Sequence, residues 1–572
     1  MKGLAEKQKV TGFRLVLGYF GVFMVLVGLL TGIPMIIPAF YHEEWHALPI
    51  YACVTAFDVI VGLVLYFVFI WRKPRMRFVR HEESMLLVLS WLLAILSGAA
   101  PFFIFHLMGR TLSDMGFSAS VFESTSGYTT TGLTLFRDYV GVEGAFCPHV
   151  LTFHRAWLNF VGGMGLVLIL ASVLGSSGGG VSLYVSEGHS DKLLPNIAKS
   201  AKLIFGIYLF YAVLGFVALI VAGMPVFDAV THSMSAISGG GFSCRDANVG
   251  YYRIHDGEFL DGWIRPVNSM AIEIIILVLV ILGALSFVMH TFLLRFKFKR
   301  AFNDSEIRFF AGFVLFGVLI AFFGALSYTA NARESYFDGA GEIFRQVLFY
   351  TVGSVTTSGF ATTTSDGTHF MFHLINVPGG TIYMGHIVIL VCTFMMLAGG
   401  ASGSTAGGIK QFRLVAIFRS IYYSLRYRFA SVHQRYPKLI TRYGDVQEID
   451  ENMAKDAYQY MTLFLGLFGI SMIVVLIAGG PQYDLQSAAF DVASAISNTG
   501  LSAVIGPDFV AENASGAALV VVWVYTIGMF LGRLEILPAA YAVANIGEEA
   551  HHFHVQRRHA RWEAMKEFMK GE

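Results

Sequence analysis

The chain has 572 residues, of which 55% are hydrophobic and 14% charged, and its mean hydropathy is +0.62. Soluble proteins carry about a quarter charged residues, so this composition excludes a soluble globular protein and points to an integral membrane protein. With 40 Lys+Arg against 39 Asp+Glu the net charge is +1, and no electrostatic argument favours a nucleic-acid partner.

Uncharged runs follow one another along the chain, and about 20 residues suffice to cross a bilayer. The first, Leu15–Tyr41, comes after Lys2, Lys7, Lys9 and Arg14; it is too long for a cleaved signal segment and reads as a retained helix. Leu48–Trp71 spans with Asp58 inside it, and a basic linker at 72–80 leads to Ser84–Gly109. Ala156–Ser186, Leu203–Phe227, Ile274–Leu294 and Phe309–Ala332 come next. Gly367–Ile409 runs 43 residues without a charge, too long for one helix. Gly379 and Gly380 precede a helix of about 18 residues within it, and a Gly/Ser stretch follows at 399–408. Ala457–Tyr483 and Asn513–Gly532 complete ten spans. Placing both termini in the cytoplasm leaves 31 of the 40 Lys+Arg on that side, as the positive-inside rule requires.

Four nine-residue stretches between spans align on a glycine: Ser126–Thr134, Ser235–Ser243, Gly353–Ala361 and Ser494–Ser502. The aligned glycines are Gly132, Gly241, Gly359 and Gly500, each followed by Leu or Phe. This is long-period repetition of a span–loop–span unit. The apolar segment before each glycine is too short to cross, so it reads as a re-entrant half-helix, tolerated at membrane depth only where protein or a water-filled path surrounds it. None of the four stretches carries a charged side chain. Main-chain carbonyls can replace a cation's water shell in such loops, and half-helix carboxyl ends add partial negative charge.

These residues resemble the superfamily of K⁺ transporters that includes Trk, Ktr and plant HKT proteins. Trp157–Leu166 (WLNFVGGMGL), Gly399–Lys410 (GGASGSTAGGIK) and Gly528–Leu537 (GMFLGRLEIL) extend the resemblance over almost the whole chain, and the two leading spans are similar to the TrkH/TrkG type. The resemblance implies an all-α polytopic membrane protein with four membrane–pore–membrane repeats around one pore, preceded by two extra transmembrane helices. The expected divisions are 1–83 (extension and basic linker), 84–186, 187–300, 301–442 with a broken second helix, 443–550, and a cytoplasmic tail at 551–572. It implies a K⁺ filter at Thr130, Thr131, Gly132, Gly240, Gly241, Thr357, Ser358, Gly359, Asn498, Thr499 and Gly500. A serine at the first glycine goes with Na⁺ transport in plant members, so Gly132 favours K⁺, whereas Asn498-Thr499 departs from a Thr-Thr pattern and leaves Na⁺ permeation open. It implies a gate at Gly399, Gly400, Ser402, Gly403, Ser404, Thr405, Gly407 and Gly408 with Arg533, in a homodimer of the bacterial inner membrane. A cytosolic regulatory subunit of TrkA type, binding NAD(H) or adenine nucleotides, would dock on the inner face.

Other features carry weaker signals. Gly399–Lys410 lacks the Gly-Lys-Ser/Thr ending of a phosphate loop and follows no strand. For Arg533 two readings stand: a barrier to cations, which the resemblance favours, or an arginine that snorkels to the inner interface or pairs with Glu535 or a neighbour. Glu123, Asp228 and Asp491 fit cation attraction at the outer mouth and local pairing equally well; for Asp58 and Glu273 helix-to-helix pairing is favoured over proton coupling. Cys147 and Cys244 read as unpaired thiols with a bridge still open, and His551, His552 and His554 as solvated tail rather than metal site. Arg413–Arg442 suits headgroups or a docked subunit. Without a nucleophile–base pair or cofactor fingerprint, an enzyme is the weaker class; the alternative to a transporter is a membrane sensor whose loops no longer conduct.

Overall fold

The computed structural model describes residues 13–71, 80–109, 116–136, 148–165, 197–260, 263–331, 339–365, 367, 371, 374–377, 380–383, 385–429, 438–506, 509 and 516–536. The protein is a helical membrane bundle. Among the described residues seven helices are long and apolar enough to cross a bilayer, or eight if one bent pair counts as a span.

The leading pair, α1 (Phe13–Thr31) and α2 (Leu48–Phe69), packs with backbones in close approach. A Cβ on Gly21 would stand 2.6 Å from the Gly62 carbonyl oxygen, and one on Gly62 equally close to that of Gly21. Small residues at a helix crossing do this work in lipid, where apolar burial alone gives no drive to associate. The pair is tied to α3 (Arg80–Leu107), where Ser97 Oγ donates to Asp58 at 2.5 Å. It is also tied to α5 (Pro148–Gly163), where Trp157 Nε1 donates to Leu30 O at 2.9 Å. Glu44, in the turn between α1 and α2, accepts from the amides of His149 and Val150 at 2.9 and 2.8 Å, satisfying donors that the start of α5 would otherwise orphan.

Four short half-helices then recur: α4 (Gly116–Tyr128), α7 (Val226–Ser238), α11 (Ala340–Val355) and α15 (Leu485–Ile496). They are preceded by α3, α6 (Ile197–Val221), α10 (Ser305–Asn331) and α14 (Glu451–Ala478), and followed by α5, α8 (Ser269–Ala284), α12 (His386–Ala398) and α16 (Gly516–Arg533). Each following helix packs on the half-helix of the next unit: α5 on α7, α8 on α11, α12 on α15, and α16 back on α4. The order closes on itself, so the four units surround one axis.

Three features differ from the expected spans. The run Ile274–Leu294 is not straight: α8 ends at Ala284 and α9 (Phe287–Leu294) leaves at 115°. Leu285 is extended there, and Ser286 caps α9 by accepting from Val288 N. The span after Gly380 holds only 13 helical residues, His386–Ala398, and α13 (Gln411–Arg428) begins beyond the Gly-rich segment. Two small hairpins interrupt the helical architecture, β1 (Leu374–Val377) with β2 (Gly380–Tyr383) and β3 (Leu439–Arg442) with β4 (Asp445–Glu448). The second turns through Tyr443 and Gly444, both at positive φ (54° and 90°), the two-residue turn that suits the right-handed twist of paired strands.

Candidate functional site: a ring of four backbone loops

Each half-helix ends the same way. The residue after its last turn is left-handed, with φ of 57° at Thr130, 73° at Gly239, 51° at Thr357 and 57° at Asn498. The next amide reaches back five residues: Thr131 N to Ser126 O at 2.9 Å, Gly240 N to Ser235 O at 2.9 Å, Ser358 N to Gly353 O at 2.8 Å, and Thr499 N to Ser494 O at 2.8 Å. The left-handed residue bonds three back in all four repeats, as in Thr130 N to Gly127 O at 3.0 Å. This is the Schellman closure; it consumes the helix's free carbonyls and turns the chain sharply. Asn498 suits this backbone because Asn tolerates the left-handed region, although Thr130 and Thr357 adopt it as well. Its side chain also links repeats, donating to Thr131 Oγ1 at 3.1 Å and Met529 O at 2.8 Å.

The four glycines that follow meet one another. A Cβ on Gly132 would collide with the Gly240 carbonyl oxygen, and one on Gly241 with the Gly359 backbone. One on Gly359 would stand 2.8 Å from Thr499 O and 2.9 Å from Gly500 Cα; one on Gly500 would collide with the Thr131 carbonyl oxygen. Repeat 1 touches 2, 2 touches 3, 3 touches 4, and 4 returns to 1. Gly132, Gly241 and Gly500 also sit at φ of 94°, 81° and 96°. Only glycine fits both the torsion and the contact.

Behind the ring, the residue nine positions before each glycine holds the strand that leaves it. Glu123 accepts from Leu135 N at 3.2 Å and Thr134 Oγ1 at 2.9 Å. His232 Nε2 lies 3.0 Å from Ser243 Oγ. Tyr350 OH donates to Thr362 O at 2.6 Å, and Asp491 accepts from Ala503, Val504 and Ile505 amides at 2.6, 3.1 and 2.9 Å. Glu123 also pairs with Arg155 at 2.7 Å, whose guanidinium lies 4.4 Å over the ring of Phe242, next to the second glycine. Asp228 pairs with Arg245 at 2.9 Å and accepts from Tyr252 OH at 2.7 Å. Glu123, Asp228 and Asp491 are 0%, 1% and 0% exposed, so they serve as local fasteners and do not line an outer mouth. Glu273 likewise pairs across helices with Arg345 at 2.5 Å.

The Gly-rich segment 399–408 packs against the ring. Gly407 N donates to Thr357 Oγ1 at 2.7 Å. Ala401 N and Thr405 N donate to Ala284 O and Gly283 O at 3.0 and 3.1 Å, and Gly403 O accepts from Phe287 N at 3.0 Å. The break between α8 and α9 therefore frees the groups that hold this segment. Ser404 Oγ bonds Ala401 O within the segment at 2.5 Å, while Gly399 and Gly408 take φ of 70° and 76°. A Cβ on Gly400 would stand 2.5 Å from that of Ala406. Arg533, at the end of α16, reaches Thr405 O at 2.9 Å and Gly162 O at 2.6 Å. Glu535 pairs instead with Arg413 at 2.5 Å.

The structure thus brings together all the expected loop residues, from Thr130 to Gly500, and sets the Gly-rich segment with Arg533 against them. Three participants were missed. Gly239 is the left-handed equivalent of Thr130, Thr357 and Asn498, and the alignment of the four stretches already pointed to it. Glu306 accepts from Ser402 N at 2.6 Å and Phe412 N at 3.1 Å, and Gln411 Nε2 donates to Gly399 O at 2.5 Å; neither had a sequence signal beyond polarity at a helix start. Cys147 and the tail histidines lie outside the described residues, and Cys244 Sγ stands 3.8 Å from His232 Nδ1. Among the described residues no group of three or more His, Cys, Asp or Glu is placed to hold a metal ion.

The fold and this ring define a multi-pass membrane protein of four half-helix repeats about one axis. The chain belongs to the TrkH family of cation transport proteins, whose model matches residues 56–330 and 380–554. It is 28% identical over 475 residues to the Trk system potassium uptake protein TrkH of Salmonella typhimurium, covering 81% of this chain and 85% of that one. It is 26% identical over 527 residues to the TrkG protein of Escherichia coli, covering 90% and 95%, and 25% identical over 543 residues to an uncharacterized cation transporter of Methanocaldococcus jannaschii, covering 94% and 96%. The crystal structure of the potassium transporter TrkH from Vibrio parahaemolyticus shares the fold, with a TM-score of 0.69 at 23% identity over 93% of this chain and 98% of that one.

Proposed function

We propose that the protein takes up K⁺ across the bacterial cytoplasmic membrane, through a filter made of the loops at Thr130–Gly132, Gly239–Gly241, Thr357–Gly359 and Asn498–Gly500. The observation that carries this reading is the mutual contact of the four glycines, which leaves a ring of uncharged backbone on one axis. Half-helices ending at such a ring turn their negative dipole ends toward it, which favours a cation over an anion. Each inward charge gains about 2.3 kcal/mol per 100 mV of membrane potential, enough to drive uptake.

In this reading Gly399–Gly408 is the gate and Arg533 its latch. The arginine adds a positive charge to the path and staples Thr405 to the end of α5 at Gly162. Opening requires these two bonds to break and the glycines to swing. The repeats divide at 84–186, 187–300, 301–442 and 443–550 in this scheme, with both termini cytoplasmic. Two copies assemble, and a cytosolic regulatory subunit of the nucleotide-binding TrkA type acts on the inner face. The TrkH and TrkG relatives are potassium uptake proteins, which supports K⁺ as the transported ion.

Expression in cells that lack K⁺ uptake tests it. Growth on low K⁺ together with Rb⁺ influx is the expected outcome. Correct membrane insertion with no rescue and no Rb⁺ flux would instead indicate a sensor that does not conduct.

A further inference from the structure

The bend between α8 and α9 opens a cavity of about 590 Å³ against α10 and α11. Its wall includes Leu285, Met289, Leu293, Phe310, Val314 and Phe344, and polar surface is almost absent from it. The volume lies within the ~300–1,000 Å³ range of small-molecule sites. An apolar cavity of this size beside a lipid-facing helix suits a hydrocarbon chain.

One end of the cavity carries charge. Leu293 and Ala301 both line the wall, and between them, after Leu294, the chain reads Arg295-Phe296-Lys297-Phe298-Lys299-Arg300. All six are exposed, with Phe296 at 80% and Phe298 at 47%. Apolar rings alternating with cations seek the headgroup level of a bilayer. The charge pattern of the whole chain assigns this stretch to the cytoplasmic leaflet, where anionic lipids attract basic segments. Cations at the mouth and hydrocarbon walls behind them match one molecule: a phospholipid with an anionic headgroup.

We infer that the groove between α9 and α10 binds one anionic glycerophospholipid, an acyl chain filling the cavity and the headgroup phosphate lying on Arg295, Lys297 and Lys299. The chain in the cavity braces the 115° bend from its open side. That bend supplies Ala284 O and Phe287 N to the Gly-rich segment, so the occupant acts on the same hydrogen bonds that hold Ala401 and Gly403. The lipid site itself stands on the cavity and the basic stretch, and is independent of whether the loops conduct K⁺.

The test uses the full-length protein in detergent, delipidated and titrated with dioleoylphosphatidylglycerol or dioleoylphosphatidylcholine, with bound copies counted by native mass spectrometry. The first phosphatidylglycerol should bind at least tenfold tighter than phosphatidylcholine. The triple variant R295Q/K297Q/K299Q, confined to exposed side chains, should erase that preference. Val314→Phe, which fills the cavity, should weaken both lipids about tenfold, with an unchanged melting temperature as its folding control; Ala311→Leu serves if that control fails. Equal affinity for the two lipids in the wild type, or wild-type binding in either variant class, overturns the proposal. So does a shift from dimer to monomer in these variants with no change in lipid count, because the face would then seat a second copy of the chain.

Discussion

The ring and the Gly-rich segment beside it are both backbone, both rich in glycine and both buried, yet they are held in opposite ways. Each ring loop is fixed chiefly from within its own repeat, by a Schellman closure at one end and a side chain nine residues before its glycine fastening the other, with Asn498 adding a bond across to Thr131. The segment 399–408 closes little of its own hydrogen bonding. It depends on Gly283 and Ala284 from α8, Phe287 from α9, Glu306 from α10, Thr357 from the ring and Arg533 from α16. Locally closed structure does not depend on the position of its neighbours. Structure borrowed from neighbours can be returned when they shift, which is what the proposed gate requires.

The largest effect should come from breaking the ring. Gly241→Ala adds a methyl that meets the Gly359 backbone at a φ of 81°, a strain of about 1–2 kcal/mol from torsion and 1–3 from overpacking. Rb⁺ uptake should vanish while membrane insertion, read by fluorescence-detected gel filtration, persists. Gly132→Ser should do the same or admit Na⁺; unchanged K⁺ and Na⁺ uptake would remove Gly132 from the filter. Next is the fastener Asp491. Its replacement by Ala strands three amides, of which the buried one at Ile505 costs about 1–3 kcal/mol and the half-buried ones at Ala503 and Val504 less. Reversal potentials should show lowered K⁺/Na⁺ discrimination, with a smaller loss in Asp491→Asn, which keeps an acceptor.

Changes to the borrowed contacts should act differently, raising flux and leaving selectivity alone. Arg533→Ala frees Thr405 and Gly162 carbonyls and should increase basal Rb⁺ leak several-fold at an unaltered K⁺/Na⁺ ratio. Selectivity falling together with the leak would mean that ring and segment are one unit. The smallest effect belongs to Glu306→Gln, which trades charge-assisted bonds of about 1.5–3 kcal/mol for neutral ones of about 0.5–1.5. Hydrogen exchange at the amides of Ser402 and Phe412 should quicken about tenfold, with uptake little changed.

Much of this was legible beforehand because the ring is written four times. A single Gly/Ser loop carries no message, but Ser126–Thr134, Ser235–Ser243, Gly353–Ala361 and Ser494–Ser502 in one register do, and their conformations repeat as their letters do. Hydropathy located seven of the ten expected spans among the described residues, while most of Ala156–Ser186 lies outside them, and it could not see the 115° bend within Ile274–Leu294; the groups freed at that bend find their partners in Ala401 and Gly403, more than a hundred residues away. The two hairpins were missed for a related reason: four-residue strands give no period to read. For Glu123 and Asp491 the sequence leaves cation attraction and local pairing equally open, because charge near a span suggests either. Their hydrogen bonds decide for pairing, with Leu135 N and Arg155 at Glu123 and three successive amides at Asp491, and no sequence pattern counts those.

Single-channel recording across opposed K⁺ and Na⁺ gradients tests the central claim most directly. Wild-type currents should reverse near the K⁺ equilibrium potential, and Gly500→Ala, whose new methyl would collide with the Thr131 carbonyl, should lose them while remaining folded. Currents in Gly500→Ala that match the wild type in size and reversal potential would contradict a pore closed by four meeting glycines.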